Sequence, residues 1–143
     1  MADVGPVIVG VDGSEASRDA LRWAAAYARC FGAPLEALAA WQPPSGYGFP
    51  AYYDDVDFAA QARDRLDETV RETAPGVKVA LRTEQAHPAS ALVAASESAQ
   101  LLVVGQRGHG EFHDRLLGSV SQHCVHHAHC PVVVVRGQDA PPA

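Results

Sequence analysis

An open α/β sheet of parallel strands, with helices on both faces, is the fold predicted by this 143-residue sequence. Three observations lead there. Short β-branched runs, Val7-Ile8-Val9 and Val132-Val133-Val134-Val135 among them, alternate along the chain with stretches whose apolar residues recur at helical spacing. The run Leu101-Leu102-Val103-Val104 is apolar without alternation, as a strand covered on both faces is. Helix-like segments separate the strand-like ones, which implies parallel strands joined by right-handed crossovers.

Each element has its own local signals. Pro6 to Val11 reads as the first strand, ended by the turn pair Asp12-Gly13. Ser14 suits a helix N-cap, and Leu21, Ala24, Ala25, Ala28 and Phe31 follow at helical spacing until Gly32 and Pro34 stop the helix. A second strand covers about 35–41, and the proline- and glycine-rich stretch 42–50 cannot be regular structure. Asp57 to Thr73 returns to helical spacing, with Arg63, Asp67 and Arg71 placed for i,i+4 pairs on a solvated face. After Pro75-Gly76, the alternation of Val77, Val79, Leu81 and Thr83 predicts a third strand. Pro88 opens a helix to about Ser98, Leu101 to Val104 is the fourth strand, a helix runs to about His129, and 131–135 is the fifth strand.

Composition excludes several classes. Lys+Arg 11 against Asp+Glu 17 gives a net charge of −6, which disfavours nucleic acid and anionic membranes. No run of about 18 apolar residues is present to span a bilayer, and no positive charge precedes Arg18 as a signal peptide would need. Cys30, Cys124 and Cys130 are an odd set that defines no disulfide framework. The expectation is a soluble, cytoplasmic protein.

The chemistry concentrates after the fourth strand. Gly105-Gln106-Arg107-Gly108 follows the buried run directly, and nine residues beyond Gly108 come Gly118-Ser119-Val120-Ser121. Glycines there let backbone N–H groups approach a ligand with no Cβ between. Ser119 to Gln122 also fits an S-x-x-Q capping box that would start the last helix at Ser119, placing free N–H groups and the positive dipole end beside two serines, a site for phosphate. Arg107, His109 and Gly110 share the loop, and Arg107 offers a fork of donors to a phosphate or simply faces solvent. If the first and fourth strands are neighbours, Val11-Asp12 faces this loop across the crevice where such sheets bind ligands. Asp12 then suits a ribose or nucleobase edge, or else makes only an Asx-turn into the first helix. Neither a P-loop nor the dinucleotide fingerprint GxGxxG is present.

Gly105-x2-Gly108-x9-Gly118-Ser119 resembles the ATP-binding signature of the universal stress protein family. The resemblance extends from Val9-Gly10-Val11-Asp12-Gly13-Ser14 to Cys130-Pro131-Val132-Val133-Val134-Val135, over nearly the whole chain. It implies a single domain over 1–137 with a short polar tail at 138–143, and a Rossmann-like, adenine nucleotide alpha hydrolase-like sheet of five parallel strands in the order 3-2-1-4-5. It also implies ATP as ligand. By position, Gly10, Val11 and Asp12 would meet adenosine, Ala40 the adenine, Val104 and Gly105 the ribose, and Gly108 the phosphates. Gly118, Ser119, Val120 and Ser121 would meet the β and γ phosphates with Mg²⁺, placed near Ser119. The family commonly dimerises through the last strand, here Val132 to Val135. Gly10 stands where some relatives have proline, and Gln106 where serine is frequent.

Other signals are weaker. His123, Cys124, His126, His127, His129 and Cys130 are dense in metal-ligating types, and His123 and His127 share a helical face, but no second cluster of C-x2-C type accompanies them. The plain reading buries Val120, Cys124 and Ala128 and leaves the histidines in solvent, with no metal centre expected from this cluster. A Ser119 or Cys124 nucleophile with His109 or His113 lacks any GxSxG elbow. Tyr47, Phe49, Tyr52 and Tyr53 load the loop after the second strand with aromatics, as a surface insertion or as a cover for adenine. The function expected is a regulatory ATP sensor with at most slow hydrolysis. A nucleotide-independent dimeric scaffold and an adenylylating enzyme are the alternatives.

Overall fold

Nine elements alternate along the chain in the computed structural model, which describes residues 4–43, 57–106 and 117–137. They are β1 (Val7–Gly10), α1 (Glu15–Phe31), β2 (Leu35–Trp41), α2 (Phe58–Thr73), β3 (Ala80–Gln85), α3 (Pro88–Ser96), β4 (Leu101–Gly105), α4 (Ser119–His127) and β5 (Val132–Val135). The strands form one sheet in the order β3-β2-β1-β4-β5, and every pairing is parallel. β1 therefore has β2 on one side and β4 on the other, so the winding reverses between β1 and β4.

Strand alternation divides the core between two faces. Val7 and Val9 of β1 pack with Leu21, Ala24 and Ala28 of α1 and Leu66 and Val70 of α2. Ile8 points the other way, toward Leu92 and Ala95 of α3 and Cys124 of α4. Leu101 to Val104 is buried throughout, because its two faces belong to different layers.

The caps explain the helix ends. Ser14 accepts a hydrogen bond from the Ser17 N–H at the start of α1, and Gly32 ends it in the left-handed conformation (φ 65). Asp57 caps α2, so that helix begins one residue later than its sequence pattern. On its outer face Asp67 pairs with Arg71 at 3.0 Å, an exposed contact of little energetic weight.

Other expected boundaries move as well. β3 begins at Ala80, not Val77, because its ladder with β2 starts at Glu36↔Ala80 and the residues before it have no strand to pair with; Val77 and Val79 instead pack against the core as partly buried side chains. α3 ends at Ser96 in a tightened turn, with Glu97, Ser98 and Ala99 N–H groups donating to carbonyls three residues back. α4 stops at His127, because Ala128 is extended (ψ 152) and the His129 N–H donates to Ser96 Oγ at 2.9 Å.

Candidate functional site

At the carboxyl end of β1 the chain turns through Val11, Asp12 and Gly13, the last at φ 86, a conformation that favours glycine. The Asp12 carboxylate accepts from the Ser14 N–H at 2.9 Å and from the Ser14 hydroxyl. The Asp12 N–H donates to Ser17 Oγ at 3.2 Å. The Asx-turn is thus formed, and it fixes the carboxylate at the first crossover.

β4 ends beside it. Gly105 lies against the first turn of α1: a Cβ there would stand 2.7 Å from the Ala16 carbonyl oxygen and 2.8 Å from its carbon. This glycine is required by helix-to-strand packing, whatever else it does. The Gln106 N–H donates to the Val135 carbonyl at 2.9 Å, and the Gln106 carbonyl accepts from the Gly118 N–H at 2.7 Å. The same carbonyl accepts from Ser121 Oγ at 2.7 Å. Glycine positions 105 and 118, thirteen residues apart in the chain, are therefore held side by side at the switch point.

α4 starts at Ser119, as its sequence signal expects, but its cap differs. Gly118, not Ser119, is the N-cap, at φ −67 and ψ 169, and no side chain caps it. Ser119 is the first helical residue and is exposed. The capping box does not form, because the helix begins one residue early for it. The buried Ser121 hydroxyl bonds Gln106 and, at 3.1 Å, the Gly118 carbonyl, so its side chain ties the loop rather than facing a ligand. Ser121→Ala is expected to cost about 1 kcal/mol, measurable by urea unfolding.

On the β2 side, a cleft of about 490 Å³ is lined by Val11, Asp12, Ala40, Trp41, Arg65 and Thr69, with Arg18 and Glu72 among its further walls. Val11, Asp12 and Ala40 were expected at a ligand site. Trp41, Arg65 and Thr69 were not, since nothing in their spacing brings α2 to the end of β2. Arg18 donates to Glu72 at 3.3 Å and Thr73 at 3.0 Å, which ties α1 to α2 beside the cleft. Gly10 contributes backbone alone, as a Cβ there would point at Leu92. Val104 is buried in the sheet, and Val120 is partly buried against the α3 and α4 layer. Arg107, Gly108, His109 and Gly110, like the aromatic residues of 47–53, lie outside the described residues.

No disulfide joins Cys30, Cys124 and Cys130, and the last two are poorly suited to nucleophilic work. Burial, with Cys130 nearby, pushes the Cys124 thiol up to about 11, and burial also raises Cys130. Among the described residues no helix is long and apolar enough to cross a membrane.

The universal stress protein family model matches residues 4–136. A universal stress protein of Mycolicibacterium smegmatis is 40% identical over 137 residues, covering 92% of this chain and 45% of that protein. The chain thus spans about half the length of the curated relatives it matches. The crystal structure of a universal stress protein in complex with cAMP superposes with a TM-score of 0.66 at 26% identity, over 96% of this chain and 100% of that one. That of the universal stress protein from Archaeoglobus fulgidus in complex with dAMP has a TM-score of 0.56 at 25% identity, over 91% of this chain and 96% of that one. From the matched span and the identity to its relatives, the chain belongs to the universal stress protein family.

Proposed function

We propose that this chain binds an adenine nucleotide, ATP with Mg²⁺, at the β1/β4 switch point, and acts as a regulatory sensor of it. The observation that carries the reading is the Gly118 N–H to Gln106 carbonyl bond, which sets the N-terminus of α4 beside the end of β4. The first N–H groups of α4 have no acceptor within the helix, and with the dipole they favour a phosphate. In this reading Ser119, Val120 and Ser121 bind the β and γ phosphates mainly through backbone N–H groups, and Gly118, whose own N–H is held by the Gln106 carbonyl, lets the phosphates approach with no side chain in the way. Gly105 and Val104 border the ribose, Gly10, Val11 and Asp12 meet the adenosine, and Ala40 lines the adenine in the cleft. Arg107, Gly108, His109 and Gly110 complete the phosphate side by their place in the signature. Mg²⁺ prefers oxygen ligands and keeps several waters, so the exposed Ser119 hydroxyl with phosphate oxygens suits it. The cAMP and dAMP complexes of the two relatives support an adenine nucleotide as the ligand class.

Rapid turnover is not expected. Asp12 is engaged by Ser14, and Cys124 is buried with a raised pKa, so neither is suited to activating water or attacking a phosphate. Titration of ATP, ADP, AMP and cAMP into the chain, with phosphate release followed in parallel, tests both halves. The expected result is saturable ATP binding with turnover far below the roughly 10 s⁻¹ typical of enzymes. Turnover near that rate would overturn the sensor reading, and substrate-dependent pyrophosphate release would favour an adenylylating enzyme.

We propose further that two copies pair through β5. It ends the sheet, and the carbonyls of Pro131 and Val135 face β4. By the strand's period of two, Val132 and Val134 direct their main-chain groups to the open side. Val134→Pro removes one outward N–H and leaves the β4 ladder intact. Light scattering is expected to give twice the chain mass for the wild type and a single chain mass for the variant.

A further inference from the structure

We propose that His123 and His127 form a two-imidazole site for a divalent transition-metal cation on the outer face of α4. The pair sits one helical turn apart, and the ring centres are 4.5 Å from each other with planes inclined by 42°. Two imidazoles each bound through one nitrogen at about 2.0–2.1 Å, at an angle between square and tetrahedral, place their ring centres about 4.5–5.2 Å apart. The observed separation therefore needs little movement to accept a metal.

Both residues are exposed, and among the described residues neither makes a hydrogen bond or an ion pair. The adjacent stripe of the helix is anchored: Cys124 is fully buried, with Val120 and Ala128 packed in the same layer. That anchorage holds both histidines on one rigid outer face, which lowers the ordering cost of binding. His126 is also exposed, but its ring centre lies 6.4 Å from that of His127, wider than two rings in adjacent coordination positions of one ion.

The donor set defines the class of ion. Imidazole suits Zn²⁺, Cu²⁺ and Ni²⁺, whereas Mg²⁺ requires oxygen ligands. Among the described residues no group of three or more His, Cys, Asp or Glu gathers around an ion. Water fills the other positions, so the site is open and distinct in chemistry from a phosphate-bound Mg²⁺. The proposal does not depend on nucleotide binding.

The test is calorimetric titration of Ni²⁺ into the tag-free full chain, with Mg²⁺ in parallel. Nickel is chosen over copper because Cys30 is an exposed thiol, which Cu²⁺ would oxidise. The expected result is one strong Ni²⁺ site per chain and no heat of binding for Mg²⁺ there. His123→Ala and His127→Ala are each expected to weaken Ni²⁺ binding at least about tenfold. His126→Ala is expected to retain it, and all three variants to keep the metal-free unfolding midpoint, since the side chains are exposed. Ni²⁺ binding that is absent from the folded wild type, or unchanged in His123→Ala and His127→Ala, would overturn the proposal. So would loss in His126→Ala alone.

Discussion

Gly105→Ala is expected to lower the stability of the chain by about 1–3 kcal/mol, as overpacking against a fixed neighbour does. The added Cβ would meet the Ala16 carbonyl oxygen at 2.7 Å, its carbon at 2.8 Å and its Cβ at 2.9 Å. Two of these atoms are backbone of the first turn of α1, and that turn is pinned. Ser14 caps it through the Ser17 N–H, and the Ser17 hydroxyl donates to the Ser14 carbonyl at 3.0 Å while accepting from the Asp12 N–H. Relief would require α1 to lift from β4, across an interface where Val9, Val103, Ala20 and Ala24 are fully buried. Gly10→Ala is the control. Its Cβ would meet only the end of the Leu92 side chain, at 3.0 and 3.3 Å, which can turn aside, so its cost is expected to be the smaller. Urea unfolding of the two variants checks the pair, and equal stabilities would contradict the close approach of α1 to Gly105.

Ser119→Glu is expected to move stability and binding in opposite directions. Ser119 is the first residue of α4 and is exposed, so a carboxylate there complements the helix dipole and is expected to add about 0.3–1 kcal/mol. The same charge would stand where the proposed β and γ phosphates lie. Two like charges about 4 Å apart near a surface repel by roughly 4 kcal/mol, so ATP binding is expected to fall about a hundredfold or more. Adenosine, with no phosphate, is expected to bind the variant and the wild type alike. A variant that is both more stable and blind to ATP would separate the phosphate contacts from any general damage to the fold. ATP binding at wild-type strength would place the phosphates elsewhere.

Much of this architecture is legible in local chemistry. The unbroken apolar run Leu101 to Val104 marks a strand covered on both faces, and it is buried throughout. Ser14 and Gly32 mark the two ends of α1, where both act as caps. What sequence could not convey is whatever depends on a partner distant in the chain. Val77 and Val79 alternate as a strand does, yet β3 starts only where β2 offers it a register. The S-x-x-Q pattern at Ser119 satisfies every local rule for a capping box. It yields to a contact fifteen residues away, between Ser121 and the Gln106 carbonyl. Gly105 stands out in sequence as a loop glycine suited to a ligand, while its strictest demand is the backbone of α1. Trp41, Arg65 and Thr69 carry no motif at all, and only the crossover from β2 through α2 brings them to one cleft.

Calorimetric titration of ATP with Mg²⁺ into the wild type and Gly118→Arg asks whether the joined glycine segments at the switch point bind ATP. Gly118 has φ −67, which any residue adopts, so an arginine there acts by filling space and not by straining the backbone. Saturable binding is expected from the wild type, with its loss in a variant whose circular dichroism still reports the folded chain. A folded wild type that takes up no ATP would contradict it.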